Sequence, residues 1–437
     1  MEKYVGKKIL VVGLGLQDGG VGIAKYFADL GANVTVTDKK SEKQLSPSIE
    51  ALKDYEITFH LGGHQQDDFL SADIIFKGPS VLWTTPEIVA AEKKGIPVEM
   101  ELSFFAANFP GKIIGVTGTR GKSTTTSMIF NLLKLSNFPA FLGGGFPGIS
   151  TINYLKTLKE TDWVVAEISS WALSGFHRKK ISPHIAVMTN IYPDHLNYYN
   201  RMDDYIYDKK AIFLYQKKDD YFILNESLKE IIYSSRRART ITFSKRDFPH
   251  KLVYLKGEHN LENAAAALAV AKIIGIDKKR AVKMISNFHP LSYRQEPVGR
   301  KDKIFFVNDT TATTPIATIK AIDTFADKKI ILILGGNSKN LPVDELLKHL
   351  KKVEKIILLA GSFTDQILEE LRALYDKKLS DRVFDSIDEA VKKAYETAKE
   401  LKEESYILFS PGATSFAMFN NEFHRGEEFN RVVKTLL

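Results

Sequence analysis

Two hydrophobic periods take turns along this chain. Short apolar runs bounded by glycine or polar turns alternate with longer stretches in which apolar residues recur every third or fourth position. The first pattern predicts strands at Lys8–Val12, 33–37, 56–61 and 73–77; the second predicts helices over 21–30 and 86–94. A second set begins with a strand at Lys112–Thr117, adds strands at 163–168 and 185–190, and ends in a long helix over 260–274. A third follows the loop-like stretch Leu291-Ser292-Tyr293-Arg294-Gln295-Glu296-Pro297, with strands at Ile304–Asn308, 329–334, Lys355–Leu359 and 406–409. Strands alternating with helices imply α/β architecture with largely parallel sheets flanked by helices. Three domains are expected, at 1–110, 111–298 and 299–437: the first and third Rossmann-like, the central one like a P-loop ATPase.

Composition narrows this picture. The chain has 437 residues, 44% hydrophobic and 26% charged, ordinary for globular folds. No apolar run approaches the roughly 18 residues of a membrane helix, and Ile9-Leu10-Val11-Val12 reads as a first strand instead of a signal peptide. The absence of cysteine excludes disulfides and thiolate metal sites and suits a reducing cytoplasm. The net charge of +8 is spread in lysine pairs among acids, as in Asp277-Lys278-Lys279-Arg280. That is the pattern of solvated helix faces and anionic small substrates, so neither a nucleic-acid nor a membrane partner is expected.

Candidate chemistry gathers in two glycine-rich turns. Gly115-Val116-Thr117-Gly118-Thr119-Arg120-Gly121-Lys122-Ser123-Thr124 follows a strand and opens a helix. Backbone N–H groups and the positive helix end make an anion cradle there. Lys122 would reach the outer phosphates of a nucleotide, and Ser123 or Thr124 would help hold Mg²⁺. The strict Walker spacing fails, because Val116 stands where the first glycine is required. The earlier turn, Gly13-Leu14-Gly15-Leu16-Gln17-Asp18-Gly19-Gly20, has Asp18 where a dinucleotide fingerprint has its third glycine. It reads as a site for a nucleotide-linked ligand without redox chemistry, with Asp38 at the end of the next strand.

Five strings then become jointly specific: Gly118-Thr119-Arg120-Gly121-Lys122-Ser123-Thr124, Glu167-Ile168-Ser169-Ser170, Asn190-Ile191-Tyr192-Pro193-Asp194-His195-Leu196, His259-Asn260-Leu261-Glu262-Asn263-Ala264 and Arg294-Gln295-Glu296-Pro297-Val298-Gly299. In order and spacing they resemble the Mur ligase family over essentially the whole chain. Asn308-Asp309-Thr310-Thr311, Gly335-Gly336-Asn337-Ser338-Lys339 and Ser410-Pro411-Gly412-Ala413-Thr414-Ser415-Phe416 extend the likeness. It implies a monomeric ATP- and Mg²⁺-dependent enzyme that phosphorylates a carboxylate and lets an amine displace phosphate. The substrates implied are a UDP-linked muramoyl precursor, ATP and an amino acid, D-glutamate in the branch this chain resembles most. The resemblance assigns the metal to Ser123, Glu167 and His195, with Asp194 orienting His195. It implies a carbamylated lysine at Lys209, or at its neighbour Lys210. Nucleotide contacts fall to Asn260, Asn263, Arg294 and Asp309, beside the phosphate turn. Substrate contacts fall to Leu16, Asp38, Ser169, Thr313, Lys339, Ser415 and Phe416.

The chain departs from the family pattern at four places. Thr311 stands where many members have lysine, and Ala172 where a glutamine is usual. Gly143-Gly144-Gly145-Phe146-Pro147-Gly148 lacks the substrate-contacting asparagine of that turn, and the aromatic of the last motif meets Glu422 or Phe423. Two other readings stay open: a Mur-type or folylpolyglutamate-type ligase for another amino acid, and a non-catalytic UDP-sugar-binding protein of the same fold.

Overall fold

The structure, a computed structural model, describes residues 2–16, 19–195, 198–199, 201–232, 237–415 and 418–437. Three sheets follow one another along the chain, in α/β architecture. The first contains β1 (Lys8–Val12), β2 (Asn33–Asp38), β3 (Ile57–Leu61), β4 (Ile74–Lys77) and β5 (Val98–Glu99), in the order β3-β2-β1-β4-β5. The second contains β6 (Lys112–Thr117), β7 (Ala140–Gly144), β8 (Trp163–Glu167), β9 (Ile185–Met188), β10 (Tyr221–Asn225) and β11 (Arg239–Phe243), ordered β11-β10-β9-β6-β8-β7. The third contains β12 (Glu296–Lys301), β13 (Ile304–Asn308), β14 (Lys329–Gly335), β15 (Lys355–Leu359), β16 (Leu379–Phe384) and β17 (Ser405–Phe409), ordered β12-β13-β17-β14-β15-β16.

Strand periodicity explains the layers. Successive side chains point to opposite faces, so Ile9 and Val11 enter one core of the first sheet while Leu10 and Val12 enter the other. In β14, Ile330, Leu332 and Leu334 fill one face and Ile331 and Ile333 the other. Burial on both faces is what makes such strands read as continuous apolar runs. All described pairings between the named strands are parallel except β12 with β13, an antiparallel edge with a bulge between Pro297 and Gly299. That edge corrects the loop reading of 291–297, whose last two residues belong to β12. Strands β5, β7, β10, β11 and β16 carry no anticipated signal. In β11 only Phe243 is buried, so an edge position hides the alternation.

By compactness the chain forms two units. One consists of Met1–Ile191, Tyr205–Asp247 and Ala264–Val282 and carries the first two sheets; the other consists of Tyr192–Asp204, Phe248–Asn263 and Lys283–Leu437 and carries the third. Among the described residues no helix is long and apolar enough to cross a membrane.

Candidate active site

The phosphate turn follows β6, which is paired on one side with β8 and on the other with β9. Both neighbours deliver side chains to it. Glu167 ends β8, and its Oε2 accepts from Ser123 Oγ at 2.5 Å; Lys122 Nζ lies 4.0 Å from Oε1. Beyond β9, Asn190 braces the turn: its carbonyl accepts from Thr119 N (2.9 Å) and its Oδ1 from Arg120 N (2.8 Å). Asn190 Nδ2 and Thr189 Oγ1 donate to the Arg120 carbonyl at 3.0 and 2.7 Å. Gly118, at φ +150°, lies so close to Thr189 that a Cβ would sit 1.9 Å from its hydroxyl. Gly121, at φ +80°, caps the helix Lys122–Leu135. Of the two hydroxyls proposed for the metal, Ser123 is the one touching Glu167; Thr124 is buried beside it.

Lys209 lies directly beneath this turn. It is 1% exposed, and its ammonium donates to the Gly118 carbonyl (2.8 Å) and to Thr117 Oγ1 (3.4 Å), 4.7 Å from the Tyr205 ring. Tyr205, on the same helix Met202–Leu214, shares a 2.9 Å hydrogen bond with Thr119 Oγ1. Lys210 is only half-buried, so the inward lysine of the pair is Lys209.

The first turn is built differently. The Asp38 carboxylate accepts from Leu14 N (2.9 Å), Gly15 N (3.3 Å) and Lys40 N (2.9 Å), so it holds its own loop. Leu16 is half-buried against the first core. Lys77, in register with Val12, is buried; its Nζ donates to the Val81 carbonyl (2.8 Å) and lies 4.3 Å from the Trp83 ring. Burial, with Arg178 nearby, pushes its ammonium down to about 7.

In the second unit, His195 takes φ +55°, a left-handed conformation that few non-glycine residues adopt. Its backbone N–H donates to Asp194 Oδ1 (2.8 Å), and its Nε2 is 3.6 Å from Asp194 Oδ2. Asp194 also pairs with Lys339 Nζ at 3.1 Å, so the lysine assigned to a substrate carboxylate rests on a protein carboxylate here. Asn260 and Asn263 are buried and joined by a 3.1 Å hydrogen bond. Asp309 accepts from Gln295 N (3.1 Å) and Ser410 Oγ (2.8 Å), while Arg294 is half-buried in the preceding turn.

The remaining substrate assignments separate. Ser169 caps the helix Ser170–Lys179, accepting from Ala172 N at 3.1 Å. Thr313 is half-buried, and its N–H donates to the Thr311 carbonyl at 2.9 Å. The Ser415 hydroxyl is buried without a partner among the described residues, the state of a group built to meet a ligand. Phe416 lies outside the described residues. Thr311, where a lysine is usual, donates its hydroxyl to the Tyr293 carbonyl at 2.9 Å.

Three features had no residue-level assignment. The bracing role of Asn190 depends on β9 lying beside β6, which no local pattern states. Gly144, at φ +81°, leaves its Cβ position 1.9 Å from the Glu167 carbonyl oxygen, so these glycines let β7 pass over the acid. Arg425, 1% exposed, donates to the Thr310 and Ala413 carbonyls at 2.7 and 3.1 Å and joins two loops of the third sheet. Burial lowers its guanidinium to about 9.

Residues 7–99 match the model of the Mur ligase MurD-like N-terminal domain, 116–254 the Mur ligase middle domain, and 293–412 the Mur ligase glutamate ligase domain. The UDP-N-acetylmuramoylalanine–D-glutamate ligase of Roseiflexus sp. is 36% identical, with 99% of each chain covered. The protein of that name from Acetivibrio thermocellus is 32% identical, over 100% of this chain and 98% of its own. Among solved structures, UDP-N-acetylmuramate-alanine ligase MurC from Thermotoga maritima matches with a TM-score of 0.63 at 20% identity, over 98% of this chain and 100% of that one. MurF ligase from Thermotoga maritima, solved in complex with ADP, gives 0.58 at 16%, over 100% of this chain and 97% of its own. At such identities these two speak for the fold.

Proposed function

The chain belongs to the Mur ligase family, on its MurD-like branch, and on that premise we propose that it joins D-glutamate to UDP-N-acetylmuramoyl-L-alanine at the expense of ATP, in peptidoglycan precursor synthesis. The observation that carries the reading is the phosphate turn: Lys122, Ser123 and Glu167 converge at the end of β6, with Lys209 beneath them. Carboxylate and γ-phosphate repel each other, so their reaction needs cations and positioning more than covalent help. Lys122 would neutralise phosphate charge, and the helix start at Gly121 would orient it. A hydroxyl and a carboxylate oxygen in contact are the hard donors that Mg²⁺ takes, so Ser123 and Glu167 fit that ion. Bound there, Mg²⁺ would supply charge neutralisation between the two anions.

Lys209 is the residue we assign to the carbamate. Carbon dioxide added to its neutral amine, with loss of one proton, turns a buried cation into an anion while one N–H remains to donate to the Gly118 carbonyl. The substrate carboxylate oxygen then attacks the γ-phosphorus, ADP leaves, the amine of D-glutamate attacks the acyl carbon, and phosphate departs. The unpartnered Ser415 hydroxyl supports a role in holding the incoming amino acid. Purified protein with ATP, Mg²⁺ and UDP-N-acetylmuramoyl-L-alanine, offered a panel of amino acids, should release phosphate with D-glutamate alone. Release with a different amino acid would reassign the specificity, and silence with all of them would reject the ligase.

A further inference from the structure

We infer that the third sheet carries a second small-molecule site: a cavity at the starting ends of its strands that takes a bicyclic aromatic acid with a ring N–H, of the indole-carboxylate class. The inference goes beyond the ligase reading and does not depend on it.

A cavity of about 240 Å³ lies against this sheet, walled by Tyr254, Pro290, Pro297, Phe305, Phe325 and Tyr406. All six belong to one compact unit. Phe305 and Tyr406 are the second residues of β13 and β17, paired in register with their rings stacked at 4.7 Å. Asp309, assigned to the nucleotide, and its partner Ser410 follow the opposite ends of those strands. Four residues at about 3.3 Å each put the stacked rings roughly 13 Å from them.

Size and shape point to fused rings. An apolar cavity of about 150 Å³ accommodates benzene, so the larger volume suits two rings. The walls are flat and held in place: Phe325 lies 5.5 Å from Tyr406, and His289 stacks on Tyr254 at 3.8 Å.

Polarity narrows the ligand further. Gln295 also lines the cavity. Thr324 Oγ1 gives its own proton to the Lys320 carbonyl (2.8 Å), so towards Gln295, 3.5 Å away, it can only accept. That turns Gln295 Nε2 to Thr324 and leaves Oε1 buried with no hydrogen-bond partner among the described residues. An unpaired buried acceptor is costly, and a ring N–H supplies the missing donor. The local charge is positive. Lys256 Nζ lies 5.4 Å from the Phe325 ring and 5.8 Å from Tyr406, and pairs with no carboxylate among the described residues. Arg300 lies over the Phe305 ring at 4.8 Å, whereas Lys328 is already matched by Asp327 and Glu404. A carboxylate on the ligand answers the exposed Lys256 ammonium.

Titration calorimetry on the full chain with indole-3-acetate, with and without saturating MgADP, tests this. One molecule should bind more tightly than about 1 mM in both conditions. Naphthalene-1-acetate, which keeps the rings and the acid but lacks the N–H, should bind about tenfold more weakly, the scale of one hydrogen bond. Tryptamine, with a cation in place of the acid, should also bind about tenfold more weakly. Gln295→Leu should bring the indole and naphthalene acids to equal affinity. Lys256→Glu, at an exposed position, should remove the preference for the acid over tryptamine, and it keeps the test open should Gln295→Leu fail to fold. No binding up to about 1 mM, displacement of the probe by MgADP, or an unmoved ratio in either folded variant overturns the site.

Discussion

Two glycine-rich turns occupy the same place in their sheets, after β1 and after β6, and they are backed by opposite charges. In the first, the N–H groups of Leu14 and Gly15 are taken by the Asp38 carboxylate. In the second, the N–H groups of Thr119 and Arg120 are taken by neutral oxygens of Asn190, and the ammonium groups of Lys122 and Lys209 donate to the Thr119 and Gly118 carbonyls of the turn. The turn Gly13–Gly15 therefore carries a built-in anion, while Gly118–Gly121 is arranged to receive one. Glycine spacing gives a turn its shape; the residues at the ends of the neighbouring strands decide its charge.

Removing a cation from the second turn should have the largest effect on turnover. Lys122→Ala and Lys209→Ala are each expected to lower phosphate release by on the order of a thousandfold. Turnover at the wild-type rate in Lys209→Ala would reject the role given to that lysine. Next comes Gly118→Ala, which must displace Thr189 and adopt a φ that strains any side chain, at roughly 1–3 kcal/mol. A drop in MgADP affinity of about tenfold or more should follow, measured by calorimetry. Asp38→Asn should act the other way round: a stability loss of about 1–2 kcal/mol in denaturant melts, with MgADP binding unchanged. Weakened ADP binding in that variant would break the separation of the two turns.

Turnover should be least sensitive to Lys77→Met, whose signature is in stability against pH. The folded chain binds the Lys77 proton near pH 7, the unfolded chain near the ordinary 10.5. Between those values the unfolded state holds more protons, so stability rises with pH across the window and this group adds no slope below it. Lys77→Met should abolish that rise; an unchanged slope in thermal melts between pH 7 and 10 would contradict the burial account.

Much of this was legible before the fold was known, for a physical reason. The strand, glycines, lysine and helix of the phosphate turn are contiguous, and β6 and β13 appear where their apolar runs place them. What was illegible depends on pairing. Two adjacent lysines, Lys209 and Lys210, read alike until the helix face that Lys209 shares with Tyr205 is oriented against Gly118. The role of Asn190 and the clearance Gly144 gives to Glu167 arise from strands that meet only in the sheet. The ion pair of Lys339 with Asp194 was hidden because the two lie far apart along the chain. The β12 edge was hidden by Pro297 and Gly299, residues that seldom mark a strand and here form its bulge.

The central claim is chemical: the carboxylate is activated by taking the γ-phosphoryl group before the amine arrives. It is tested most directly by labelling both carboxylate oxygens of UDP-N-acetylmuramoyl-L-alanine with heavy oxygen and analysing the released phosphate by mass spectrometry. One labelled oxygen per phosphate is the predicted result, because the carboxylate oxygen that attacks phosphorus leaves with it. Phosphate released in step with peptide-bond formation but free of label would contradict the account.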